Sequence, residues 1–97
     1  EGNGMEEKAK KIAELLKVLA NEHRLLILCA LMKGCLTVGE IHKYCPAITA
    51  SALSQHLHQL RAAGILDSEK QGMNVRHRIS DLRIIPLLES IREHYCD

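Results

Sequence analysis

Residues 51–66 read SALSQHLHQLRAAGIL, and the reading of this stretch decides the fold. Ala52, Leu53, Leu57 and Leu60 recur at helical spacing and form an inner stripe, while Ser51, Ser54, Gln55 and His58 fall on the outer face. Thr49 is placed to cap a helix over about 50–63, and Gly64 is placed to stop it. Fourteen residues span ~21 Å, long enough to cross a DNA major groove ~12 Å wide. Just upstream, Thr37 precedes a shorter helix over about 38–44, with Glu40 at the capping-box spacing. Cys45-Pro46 ends that helix, because the residue before proline avoids the helical region. Two short helices joined by a tight turn, the second with a polar outer face, predict a helix-turn-helix whose second helix enters the groove.

Working outward, the period changes from helix to strand. Residues 65–70 and 74–79 read as two strands around Gln71-Gly72-Met73, a hairpin placed as a wing. Ser80 is expected to cap a last helix over about 81–96, with Leu88, Ile91 and Tyr95 on its apolar stripe. Pro86 means that this helix kinks there or that its regular part begins there. On the other side, Ile12, Leu15, Leu16 and Leu19 make an amphipathic helix over 6–20. Asn21 caps a second helix over 22–33 that is apolar nearly all round and so is expected to be buried, with Gly34 closing it. The expected architecture is mainly α with a β-hairpin wing (α+β), a winged helix-turn-helix of order ααααββα. Residues 5–97 are read as one domain, and residues 1–4, ahead of Met5, as a tag remnant or loose tail.

Composition narrows the function. Ninety-seven residues carry a formal charge of +1, so any attraction to nucleic acid is local. Tyr44 and Tyr95 are the only aromatic side chains of the Phe, Trp and Tyr class, which leaves little for base stacking and favours a duplex as target. No apolar run approaches the ~18 residues of a membrane span. Cys29, Cys35, Cys45 and Cys96 form no CxxC pair and are read as free thiols in a reducing, cytoplasmic setting. No nucleophile-base-orienter set is readable, so an enzyme is not expected, and no cofactor is called for.

The outer face Ser51, Ser54, Gln55 and His58, with Thr49 at its start, is the candidate base reader; glutamine can bond adenine in a bidentate way. The alternative is a solvated face without a role. His56 lies near the leucine stripe and is expected to be a satisfied, partly buried histidine. On the wing, Lys70, Gln71 and Asn74 at the tip and Arg76 and Arg78 on one strand face are candidate phosphate contacts. An ordinary charged hairpin, diluted by Asp67 and Glu69, is the alternative.

LLKVLANEHRLLILCALMKG (15–34), TVGEI (37–41) and SALSQHLHQLRAAGIL (51–66) together resemble the ArsR/SmtB family of dimeric repressors, over about residues 12–96. The resemblance implies a homodimer through the first and last helices, operator DNA read by the fourth, and an inducer that releases the complex. Ala50 stands where the family often has a polar side chain. Of the two metal sites the family uses, the third-helix thiolate site is missing, since Glu40-Ile41-His42-Lys43-Tyr44 has no cysteine and Cys45 is out of phase. The last-helix site gives Asp81, Arg83, His94 and Asp97 at the family spacing, and Arg83 cannot ligate a metal. A metal-responsive repressor using Asp81, His94 and Asp97 is therefore the alternative. Cys29 and Cys96 resemble instead the thiol pair of the persulfide- and redox-responsive branch. That resemblance implies an oxidant or reactive sulfur species as inducer; the basic neighbours Arg92 and His94 favour Cys96 as the first nucleophile. A small core cysteine and an incidental terminal one are the competing readings. Cys35 and Cys45 have no counterpart there.

Overall fold

The computed structural model describes residues 2–97. Its elements run α1 (Gly2–Leu19), α2 (Glu22–Leu31), β1 (Leu36–Thr37), α3 (Val38–Tyr44), α4 (Ala50–Ala62), β2 (Leu66–Gln71), β3 (Asn74–Ile79) and α5 (Ile84–Tyr95). Five helices and a three-stranded antiparallel sheet of order β1-β3-β2 make the winged helix-turn-helix. Helix α1 begins at Gly2, ahead of the expected start; Glu1 lies outside the described residues.

The local signals act where they stand. The Asn21 side chain accepts hydrogen bonds from the backbone N–H groups of His23 and Arg24. Thr37 and Glu40 form a full capping box: the Glu40 N–H donates to Thr37 Oγ1 and the Thr37 N–H to Glu40 Oε1. Thr49 Oγ1 accepts from the Ala52 N–H at the head of α4. Gly64, at φ +78°, turns the chain out of α4 in a conformation that other residues rarely adopt. In the hairpin, Gln71 pairs with Asn74, so Gly72 at φ +62° and Met73 are the two turn residues.

The core gathers Ile27, Leu28 and Leu31 of α2, Ile41 of α3, Leu53, Leu57 and Leu60 of α4, Ile65, Leu66 and Ile79 at the wing base, and Ile84 of α5. It pins α4 by its leucine stripe and leaves the opposite face open.

Two expectations are corrected. Helix α2 is not buried all round: Leu26 is 45% exposed and Cys29 is exposed, so one apolar face has no cover within the chain. Ser80 does not cap α5. Its hydroxyl donates to the Gly64 carbonyl oxygen, residues 82–83 form a turn, and the helix starts at Ile84 without a side-chain cap. Pro86 then falls in the first turn, where its missing N–H costs no intrahelical bond.

One strand was not legible in the sequence. Leu36 and Thr37 pair with His77 and Arg76, and this two-residue strand stitches α3 to the wing.

Candidate nucleic-acid interface and thiol pair

At 100° per residue, the buried Leu53, Leu57 and Leu60 define the inner side of α4. Ser51, Gln55 and His58 lie opposite them, and all three are exposed. Ser54 is also exposed but sits on the flank nearer the wing, in line with Arg61. The other flank carries His56, which is half-buried. Its Nδ1 accepts from Arg24 Nε at 3.1 Å, while the same guanidinium donates to the Val18 carbonyl oxygen. Burial first, then the charge of Arg24 and His23, holds the His56 pKa below its ordinary value. His56 thus ties α1, α2 and α4 together rather than facing outward, as its helical angle implied.

On the wing, Lys70, Gln71 and Asn74 are exposed at the tip. Arg76 and Arg78 do share one strand face, as the alternation implied, but both hold intramolecular partners. Arg78 pairs with Asp67 at 3.0 Å, and Arg76 lies 3.7 Å from Glu40 and donates to the Cys35 carbonyl oxygen. These pairs are a third or more exposed, and pairs of that kind contribute little to stability.

His77 has no counterpart among the residues singled out from sequence. It is 3% exposed, in the middle of β3, and its Nδ1 has no hydrogen-bond partner. Burial, then the Arg61 charge, lowers its pKa from the ordinary 6.5. The folded state therefore disfavours the proton that the unfolded chain accepts below about pH 6.5. Stability from this source is complete above that pH and is lost as the pH falls. His77→Leu should flatten the fall of the thermal midpoint between pH 7 and 5, measured by circular dichroism. It should also raise the midpoint at pH 7, because an unpaired buried polar atom costs about 1–3 kcal/mol. An unchanged acid slope would contradict this.

The thiols separate into three environments. Cys45 is 2% exposed, its thiol donates to the Ile41 carbonyl oxygen at 3.4 Å, and burial raises its pKa. It is a core residue, protected from attack. Cys35 is exposed in the loop before β1. Cys29 of α2 and Cys96 after α5 are both exposed, and both line one cleft of about 250 Å³. Its other walls are mostly apolar, from Leu25, Met32, Leu88 and Ile91, with the opposite charges of Arg92 and Glu89 beside them.

The metal-ligand spacing fares differently. Arg83 grips Asp81 with two hydrogen bonds of 2.8 Å, from Nε and Nη2. His94 Nδ1 donates to the Ser90 carbonyl oxygen of its own helix. Among the described residues no three His, Cys, Asp or Glu side chains gather to hold an ion. Within one subunit the Arg83 guanidinium thus occupies Asp81, one of the three candidate ligands.

Residues 21–68 match the family described as "Bacterial regulatory protein, arsR family". The chain is 38% identical over 92 residues to "Transcriptional activator HlyU" of Vibrio cholerae, covering 95% of this chain and 84% of that protein. The chain belongs to the arsR family. It is also 35% identical over 92 residues to the "Biofilm growth-associated repressor" of Agrobacterium fabrum, covering 95% of this chain and 78% of the relative. The crystal structure of the transcriptional repressor BigR from Xylella fastidiosa superposes with a TM-score of 0.87 at 29% identity, covering all of this chain and 98% of that one. As an arsR-family protein the chain is a DNA-binding transcriptional regulator and not an enzyme. Among its described residues no helix is long and apolar enough to cross a membrane.

Proposed function

We propose that this chain is a homodimeric repressor that leaves its operator when Cys29 and Cys96 are joined by oxidation or by reactive sulfur. The observation that carries the reading is the shared cleft: two thiols distant in sequence, on α2 and after α5, line one small, mostly apolar space with Arg92 and Glu89. A thiolate there attacks the sulfane sulfur of a persulfide, R–S–SH, giving Cys–S–SH and RS⁻. The second thiolate then attacks the sulfur bonded to its neighbour and expels HS⁻, leaving Cys29 and Cys96 bridged. The two protein thiols are oxidised, and the sulfane sulfur is reduced to sulfide. A bridge retaining extra sulfur relaxes the ~7 Å Cα limit of a plain disulfide.

Dimerisation supplies the output. Ile12 and Leu16 of α1 and Ile91 and Tyr95 of α5 are 41–85% exposed, apolar surface that a second subunit would cover. An open groove of about 620 Å³, walled by Ile12, Leu15, Ile84 and Leu87, runs between the same two helices. Thr49, Ser51, Ser54, Gln55 and His58 would then meet one major groove per subunit, with Lys70, Asn74, Arg76 and Arg78 on the flanking phosphates. A bridge from α2, in the core that carries α4, to α5, in the dimer face, would alter the separation of the two readers. Two half-sites fit only near ~34–36 Å.

Selection from a random duplex pool by the reduced protein tests the reading. An inverted repeat with half-site centres about 10 base pairs apart is expected; a recovered single half-site, or no enrichment, would overturn it.

A further inference from the structure

An open cleft of about 320 Å³ lies between α4 and the wing. It is framed by Val38 and Val75 and carries four polar side chains: Ser54, Arg61, Ser68 and His77. The topology brings them together. Ser68 pairs directly with His77 across the β2–β3 ladder, so both stand on one face of the wing. Ser54 and Arg61 lie two helical turns apart on the flank of α4.

These groups have little to bond within the chain. His77 is 97% buried, and its Nδ1 has no partner. Among the described residues the Arg61 guanidinium makes no hydrogen bond or ion pair, and the Ser54 and Ser68 hydroxyls make no hydrogen bond. Two nearby acidic groups are engaged elsewhere, Asp67 with Arg78 and Glu40 with Arg76. Folded proteins rarely leave buried polar groups unpaired, because each costs about 1–3 kcal/mol. A guanidinium fork, two hydroxyls and an imidazole N–H can all donate, so an anion satisfies them together. The space, enough for roughly ten waters, admits a small hydrated ion.

We propose that this cleft is a seat for a tetrahedral oxyanion of the phosphate class, held by Arg61, the Ser54 and Ser68 hydroxyls and the His77 imidazole. Filling it ties the reader helix to the wing. The same chemistry can come from a backbone phosphate of the bound duplex or from free inorganic phosphate; the first source rests on the reader face proposed above, the second does not.

Two measurements on the reduced full chain separate the sources. Amide and imidazole resonances are followed while sodium phosphate is added at ionic strength matched with sodium chloride. In parallel, duplex affinity is measured across a salt series for the native chain, Arg61→Gln and Arg61→Lys. A free-ion seat gives saturable shifts at Ser54, Ser68 and His77 that vanish in Arg61→Gln. A backbone seat gives an Arg61→Gln salt slope shallower by about 0.9, with equal loss on operator and unrelated duplex and partial recovery in Arg61→Lys. Phosphate shifts no larger than those of chloride, together with an unaltered slope, would overturn the seat. Should the protein bind no duplex at all, the phosphate titration alone decides, saturable shifts upholding the seat and their absence overturning it.

Discussion

Leu16→Glu combined with Ile91→Glu should leave a folded single subunit whose operator affinity is lower by two orders of magnitude or more. Both side chains are more than 40% exposed, so neither supports the subunit's own core. Their glutamates would face their counterparts across a dimer face and carry charge into an apolar contact. The loss at the operator follows from geometry rather than from any lost DNA contact. In a dimer the second half-site is met at an effective concentration set by the first, a gain of about 10²–10⁴ in affinity. Analytical ultracentrifugation beside fluorescence anisotropy checks both parts. A double variant that stays dimeric, or a monomer that binds as tightly as the parent, would contradict the account.

Ser51→Ala with Gln55→Ala should reduce operator affinity by about 2–4 kcal/mol, or roughly 30- to 700-fold, while leaving binding to unrelated duplex nearly unchanged. Both positions lie opposite the buried leucine stripe and are exposed, and alanine is a strong helix former, so the helix and its packing survive. Base contacts specify sequence, whereas phosphate contacts position the protein. Lys70→Ala and Asn74→Ala at the wing tip should therefore behave in the opposite way, weakening operator and unrelated duplex alike. Equal losses on both duplexes for the Ser51 and Gln55 pair would mean that α4 does not read bases.

What the sequence disclosed, and what it withheld, follows from the range of each interaction. The helix-turn-helix was legible because its punctuation is local: Thr37 with Glu40, Thr49 and Gly64 each act within four residues of their own position. His56 was legible from its helical angle, although its partner Arg24 lies 32 residues away. Strand β1 was not legible, because two residues show no alternation and exist as a strand only through β3. Ser80 looked like a cap until Gly64, 16 residues earlier, took its hydroxyl. His77 gave no signal, since its burial depends on the elements packed against β3, which are remote in sequence. The apolar face of α2 was read as buried from composition alone; within one chain Leu26 and Cys29 remain open, and composition cannot say which surface covers a face. In the candidate site, the alternation of Arg76 and Arg78 located them on one face but could not reveal Asp67 and Glu40 as their partners. Arg83 was identified from its chemistry as unfit for a metal, and its grip on Asp81 gives that unfitness a geometry.

On the proposed reading, two thiols in one cleft control the hold on DNA. Operator affinity of the reduced, persulfide-treated and zinc-loaded protein, measured side by side with peptide mass mapping of each sample, tests it most directly. A Cys29–Cys96 link and a large loss of affinity are expected only after persulfide, both abolished in Cys29→Ser, with zinc leaving affinity unchanged. Unlinked cysteines with full release, or release by zinc alone, would contradict it.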